Sequence, residues 1–343
     1  MAARLTKSGP LARASRLPAI LLAVLLLTGC TGLHLGVSRT GWAFSSTGLD
    51  ALFDRGLDGS GVQVAIVDTG IDPSQSTFKG AHIVAWKDIP DGKPDPYDLD
   101  GHGTYVASLV AGQGSLRGGA PGVDLIVVKV FDESTKSSDT WVAAGIRFAV
   151  DQGADVIGLS LGGDSFPILG TQAEDASRAA VARGVIVVAA AGNEGPDNGD
   201  VSSPANVAEV IAVAAADKSR HVADFSSRGS ASSGLILPGL GSRDAPDEKP
   251  EISAPGVDVN GAYPDGKFVS ASGTSSAVPF VVSAMALVLQ GHPALDPKDG
   301  AGVSQFKQWL MESASDVPGA SQPHDRAAGY GYLDAAALEA KAR

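Results

Sequence analysis

The chain has 343 residues, of which 44% are hydrophobic and 19% charged, enough to bury a large core as one big domain or two small ones. That balance excludes a disordered chain. A net charge of −12 lacks the basic footprint that a nucleic-acid partner requires.

In chain order, the N-terminus reads as a targeting segment. Arg4, Lys7, Arg13 and Arg16 are basic with no acid among them, and Leu17 to Leu27 is almost wholly apolar, interrupted by Pro18. A basic region, a short apolar core and small residues before a cut describe a secretory signal over residues 1–29. The apolar run is too short to read as a membrane span. Leu27-Thr28-Gly29-Cys30 resembles the lipobox of bacterial lipoproteins, in which cleavage precedes the cysteine and the thiol takes a diacylglyceryl group. Cys30 is the only cysteine, so no internal disulfide can form, and nothing near it offers a base for nucleophilic work. An ordinary signal peptide and an uncleaved anchor are the alternatives. Loss of residues 1–29 removes four basic residues and no acidic one, moving the net charge from −12 to −16. Thr31, rather than Asp, after Cys30 resembles a signal for outer-membrane sorting in a cell with two membranes.

Residues 30–49 are short on charge, carry Gly, Ser and Thr, and read as a tether. Apolar, β-rich runs predict strands at Val62 to Val67, Val123 to Phe131, Ala154 to Leu161, Val185 to Ala191 and Glu209 to Ala214. Helical spacing marks Thr104 to Val110, Trp141 to Gln152, Thr171 to Arg183, Ser275 to Leu289 and Val303 to Ser313, with Gly184 as a stop signal. Strands alternating with helices imply right-handed βαβ units, and near-continuous apolar strands fit a parallel sheet covered on both faces. Sites in such sheets lie at the carboxyl ends of strands, where Asp68 and Ser160 fall, with Asn193 just beyond another. Ser230 to Glu251 breaks the alternation and reads as a surface insertion.

Three distant segments each set a reactive residue among glycines, in the order Asp68, His102, Ser275, one of the known chain orders of a nucleophilic triad. A serine hydroxyl needs an adjacent base. Ser275 opens a helix whose dipole and free N–H groups favour negative charge, and Gly273 permits close approach; Thr274 or Ser275 could instead be only a cap. His102 is the candidate base, with Gly101 and Gly103 leaving room for substrate beside its ring; a structural histidine is the alternative. Asp68 ends an apolar strand, so it should be buried and needs a partner, which His102 or its own turn could supply. Asn193 follows another buried strand and can aim an N–H at an oxyanion, together with the Ser275 backbone N–H; an Asn in a turn beside Gly is the plainer reading.

At these residues the chain resembles the subtilisin-like serine proteases (subtilases, peptidase S8). Val67-Asp68-Thr69-Gly70-Ile71, Gly101-His102-Gly103-Thr104, Ala191-Gly192-Asn193 and Gly273-Thr274-Ser275 match that family's Asp, His, oxyanion and Ser signatures. Ser160-Leu161-Gly162-Gly163 resembles its substrate-pairing strand. The segments Phe225 to Gly229, Ile252 to Gly256 and Gly329 to Ala335 resemble its later signatures. The likeness covers about residues 50–340 and implies a three-layer α/β/α fold with a central, mostly parallel sheet. It implies a serine endopeptidase acting on proteins or peptides through an acyl-enzyme on Ser275, with no cofactor needed for the chemistry. Combined with the N-terminus, it implies an extracytoplasmic monomer held to a membrane by lipid. The chain departs from the family pattern at Tyr105, usually His, and at Ser276 and Val278, usually Met and then Thr or Ser.

Calcium is common in the family, and Asp91, Asp95, Asp98 and Asp100 offer the hard oxygen ligands it takes. A solvated acidic loop is the preferred reading of them, so no metal ligand is assigned. The resemblance also implies a cis Ser203-Pro204 bond. His102 must be neutral to act as base, so kcat/KM should fall below about pH 6.5, shifted somewhat by Asp68. Between Cys30 and the domain start at Gly48 to Asp58 there is no length for a folded pro-domain, so signal removal and lipidation are the expected processing. The rival reading is a weak or inactive peptide-binding lipoprotein on the same fold. A nucleotide-binding protein is disfavoured, since Gly-x-Gly-x-x-Gly after a first strand and Gly-x-x-x-x-Gly-Lys-[Ser/Thr] are both absent.

Overall fold

Val64, Ala65, Ile66 and Val67 have no accessible surface, and this run forms the first strand at the middle of the sheet. The computed structural model describes residues 41–163, 171–198, 200–230, 243, 245, 247–295, 297 and 300–343. Two short helices, α1 (Gly41–Ser46) and α2 (Leu49–Asp54), open it. Then follow β1 (Gln63–Asp68), β2 (His82–Asp88), α3 (His102–Ala111), β3 (Asp124–Lys129), α4 (Asp139–Asp151), β4 (Val156–Leu159), α5 (Gln172–Ala182), β5 (Ile186–Ala190) and β6 (Ile211–Ala216). The chain continues through β7 (Ile252–Pro255), β8 (Val259–Tyr263), β9 (Lys267–Ala271), α6 (Thr274–Gly291), α7 (Gly300–Ser313) and α8 (Ala335–Lys341).

Seven strands form one sheet in the order β2-β3-β1-β4-β5-β6-β7, every pair parallel. The antiparallel pair β8 and β9 stands apart. Helices α3 and α6 pack together on one face, with α6 crossing β4, β5, β6 and β7, while α4 and α5 pack together against β1, β3 and β5. This is the expected three-layer α/β/α arrangement. It arises because the central strands carry apolar side chains on both sides and must be covered twice. Side-chain caps start α5 and α8: Thr171 Oγ1 accepts from Glu174 N at 3.2 Å, and Asp334 Oδ1 from Ala337 N at 2.9 Å. Helix α6 is apolar and long enough to cross a bilayer, but it is a buried core helix.

The structure departs from the sequence expectation in three places. Part of the predicted tether is folded: Ala43, Phe44 and Leu49 are buried, and the Phe44 ring meets that of Phe280 on α6 at 5.1 Å. Apolar residues that find a docking surface leave solvent even in a segment with weak helical spacing. The predicted signal, residues 1–29, and Cys30 lie outside the described residues. The predicted surface insertion ends inside the molecule. Lys249, Glu251 and Arg243 are buried, while residues 231–242 lie outside the described set. Lys249 Nζ donates to Glu251 Oε1 at 2.7 Å, Lys307 Nζ approaches the same oxygen at 3.0 Å, and Glu251 Oε2 accepts from Ala212 N at 2.7 Å. Strands β2 and β7, the β8–β9 pair and helices α1, α2 and α8 are additional to the predicted elements. The edge strand β2 alternates half-buried and exposed side chains and carries an irregularity between Ile83 and Ala85.

Candidate active site

Strand β1 delivers Asp68 to the carboxyl end of the sheet, 1% exposed. Its Oδ1 accepts from Thr69 N at 2.7 Å and meets His102 Nδ1 at 2.7 Å. Its Oδ2 has no partner among the described residues. A buried carboxylate accepts only, so His102 holds a proton on Nδ1 and, when neutral, turns a lone pair outward on Nε2.

Asp98 fixes the loop that presents His102. Its Oδ1 accepts from Thr69 Oγ1 at 3.0 Å and Gly101 N at 2.8 Å; its Oδ2 accepts from Thr104 N and Oγ1 at 2.8 and 2.6 Å. The sequence offered Asp98 only as one of four acidic residues. The others are used elsewhere: Asp91 accepts from the Tyr97 hydroxyl at 3.3 Å, Asp100 from His102 N at 3.2 Å, and Asp95 is exposed. Among the described residues no group of three potential ligands is placed to hold a metal.

The glycines around His102 are there for a different reason than the sequence suggested. Gly101 has φ +97°, and a Cβ on it would lie 2.3 Å from the Tyr263 ring. A Cβ on Gly103 would lie 2.2 Å from Gly70 O. Close internal packing, not room for substrate, demands them.

Burial opposes charge on His102, but the Asp68 carboxylate, its hydrogen bond, and then Asp100 and Asp98 outweigh it and raise the imidazole to about 9. This is a larger upward displacement than Asp68 alone was expected to give, because the negative charges of Asp100 and Asp98 add to that of Asp68.

Ser275 occupies the second position of α6. Its Oγ donates to Ser160 O at 2.9 Å, and Ser160 Oγ donates to Ser275 O at 3.1 Å. The second bond meets a carbonyl that the helix leaves free, because residue 279 is Pro. With no N–H, it leaves the carbonyl four residues back unclaimed within the helix. The first N–H groups of any helix lack internal partners. Here Thr274 N donates to Asn193 Oδ1 at 2.8 Å and Ser276 N to Gly273 O at 3.0 Å. Among the described residues nothing takes the Ser275 N–H.

Because Thr274 N can only donate, the Asn193 amide is held with its oxygen inward, and Thr274 Oγ1 adds a second contact at 3.0 Å. The Asn193 NH2 is thereby left for the cleft. This role of Thr274 was not read from sequence; the Thr beside the candidate Ser was its only trace. His102, Ser275, Asn193, Ser160, Leu161 and Gly162 line one cleft. Gly163, expected beside them, is not among the lining residues and pairs with Ser203 through bonds of 3.1 and 3.0 Å. The Ser203-Pro204 bond is cis, as expected, as are Lys249-Pro250 and Gln322-Pro323. The cleft thus groups an oriented imidazole, a hydroxyl at a helix start and two converging N–H donors, the parts required for acyl transfer.

Comparison with known proteins places this geometry. Residues 59–331 match the subtilase family, peptidase S8. Subtilisin Savinase of Lederbergia lenta is 38% identical over 256 residues, covering 74% of this chain and 85% of that one. An alkaline protease of Shouchella clausii is also 38% identical, over 60% of its length. An intracellular serine protease of Paenibacillus polymyxa is 32% identical over 81% of this chain and 80% of its own. Among solved structures, the prenylagaramide maturation protease PagA superposes with a TM-score of 0.68 at 28% identity, covering 86% of this chain and 98% of that one. With a family match over most of its length, and relatives that share the fold, the chain belongs to the subtilase family of serine endopeptidases.

Proposed function

We propose that the chain cleaves protein or peptide substrates through an acyl-enzyme on Ser275, outside the cytoplasm and tethered to a membrane by lipid on Cys30. Ser275 Oγ turns from Ser160 O to His102 Nε2, loses its proton there and attacks the scissile carbonyl. His102 then passes that proton to the leaving amine, and water attacks the acyl-enzyme by the same relay. Asp68 holds the ring in the required tautomer and stabilises it when charged. The oxyanion sits between the Asn193 NH2 and the Ser275 N–H, and Ser160, Leu161 and Gly162 offer an edge to the substrate backbone, while Gly163 anchors the end of that segment to Ser203.

The observation that carries this reading is the Asn193 amide, fixed with its donors toward the cleft beside Ser275. A peptide-binding protein would gain nothing from that orientation. A fluorophosphonate should label the full chain at Ser275 and leave Ser275→Ala unlabelled; an unlabelled wild type would return the chain to the binding class. The tether rests on the residues before Cys30. Replacing Cys30 with Ser should move the protein out of the membrane fraction and abolish labelling by a radioactive fatty acid. Unchanged membrane recovery would remove lipid from the proposal.

A further inference from the structure

The two departures nearest the catalytic residues meet each other. Tyr105 lies one turn after His102 in α3, and Ser276 directly follows Ser275 in α6. Both are buried, 3% and 2% exposed. Tyr105 Oη is 2.8 Å from Ser276 Oγ and 3.0 Å from Val259 O in β8. A phenol has one proton, and a carbonyl can only accept. The phenol therefore shares its one proton between two acceptors, Ser276 Oγ and Val259 O. Burial raises the Tyr105 ionisation above its ordinary value, so the phenol stays neutral and can serve both bonds. The ring fits because residue 261 is Gly, where a Cβ would lie 2.3 Å from Tyr105 Cδ2.

We infer that Tyr105 and Ser276 form a brace between the first turns of the base-bearing and nucleophile-bearing helices, setting the distance over which His102 and Ser275 exchange a proton. They are positioning residues, touching neither substrate nor the reacting atoms, and the inference rests on the proposed roles of His102 and Ser275. His102 is also held by Asp68, and Ser275 is held through Ser160; neither contact spans from helix α3 to helix α6. The brace does so one residue from the nucleophile. Removing either hydroxyl breaks it, so the two losses cannot be independent.

The test is a cycle of Tyr105→Phe, Ser276→Ala and the double variant in the full chain. Turnover is measured on one peptide substrate and normalised to the active sites counted by fluorophosphonate, so that unfolded molecules do not enter the rate. Each single variant should lower kcat about three- to tenfold, the range a single net hydrogen bond provides, with KM within about twofold. The double variant should be no slower than the slower single. Losses that multiply in the double, or wild-type kcat with only a lower melting temperature, overturn the brace. Ser275→Ala, which the fluorophosphonate does not count, is assayed on the same peptide per mole of folded protein and reports separately on the catalytic reading: a rate near wild type would overturn that reading, whatever the state of the brace.

Discussion

At the carboxyl ends of the strands, Asp68 engages one oxygen with His102 and Thr69 and leaves the other without a partner among the described residues. At the amino ends, Glu251 has both oxygens engaged, by Lys249, Lys307 and the Ala212 N–H. Both carboxylates are buried to the same degree. The difference lies in what surrounds them. Asp68 and His102 adjoin an open cleft where a proton can arrive and leave, so the imidazole can change charge during a reaction. The Lys249–Glu251–Lys307 group is buried away from the cleft lining, and its charged groups bind one another, Asp247 and backbone carbonyls at the ends of β6 and β7. Burial alone does not mark a functional carboxylate; incomplete pairing beside a cleft does.

The largest effects should come from breaking the open end. Ser275→Ala, His102→Ala and Asp68→Asn should each cut kcat by orders of magnitude, about 10⁴ or more, a scale carried over from subtilisin itself. Combining the first two should add little; losses that multiply would dismantle the triad assignment. Asn193→Ala should lower kcat about 10²–10³-fold, again a magnitude carried over from subtilisin, with KM nearly unchanged. A normal kcat with a weakened KM would move Asn193 to substrate binding.

The buried amino end should respond through stability alone. Glu251→Gln leaves two ammonium groups without their shared carboxylate and should lower unfolding free energy by about 3–5 kcal/mol. Activity per folded molecule should stay at the wild-type value. A large fall in kcat per active site would mean that the two ends of the sheet are coupled.

The smallest effect is a difference in pH slope. His102, raised to about 9 from 6.5, binds a proton in the folded state that the unfolded chain has released, so its contribution is full below pH 6.5 and is lost as pH rises through 9. Lys249 runs the other way. Burial above all, with Lys307 and Arg243, holds it down to about 7 against the pull of Glu251. Above pH 7 the unfolded chain keeps a proton that the folded chain has lost, so stability rises from there toward 10.5. Urea unfolding in a Ser275→Ala background, which prevents self-digestion, should show His102→Ala gaining on its parent from pH 6.5 to 9. Lys249→Met should lose ground to its parent from pH 7 to 10.5, and parallel curves would disprove both assignments. In the active enzyme kcat/KM should rise with pH through a midpoint above 6.5, since only neutral His102 can act as base.

Much of this was legible because short-range signals coincided with site chemistry. The apolar run before Asp68 and the Gly-Thr before Ser275 each announce an element end as well as a reactive group. Strand β2 was not legible, since an edge strand with His82, Val84 and Lys87 exposed lacks a buried face to pattern it. The β8–β9 pair had a usable signal in Pro264-Asp265-Gly266, a turn sequence between strands. Helix α1 is too short to show a period and is shaped by docking on α6. The bonds of Asp98 to Thr69 and of Tyr105 to Ser276 join residues 29 and 171 positions apart, and no local pattern encodes such a meeting.

The all-parallel sheet has a consequence in time. Parallel neighbours are joined only through crossovers, and such non-local pairing makes folding slow. Asp68 and Ser275 stand 207 positions apart in the chain, and their elements meet only after β4 to β7 have been laid beside β1. No partly folded stretch of the chain carries a rudimentary version of the cleft. During refolding, helical signal should return first and hydrolysis last, so the emergence of activity marks the final assembly of the sheet. The polypeptide is unable to cut its own unfolded copies until at least one molecule has completed that assembly.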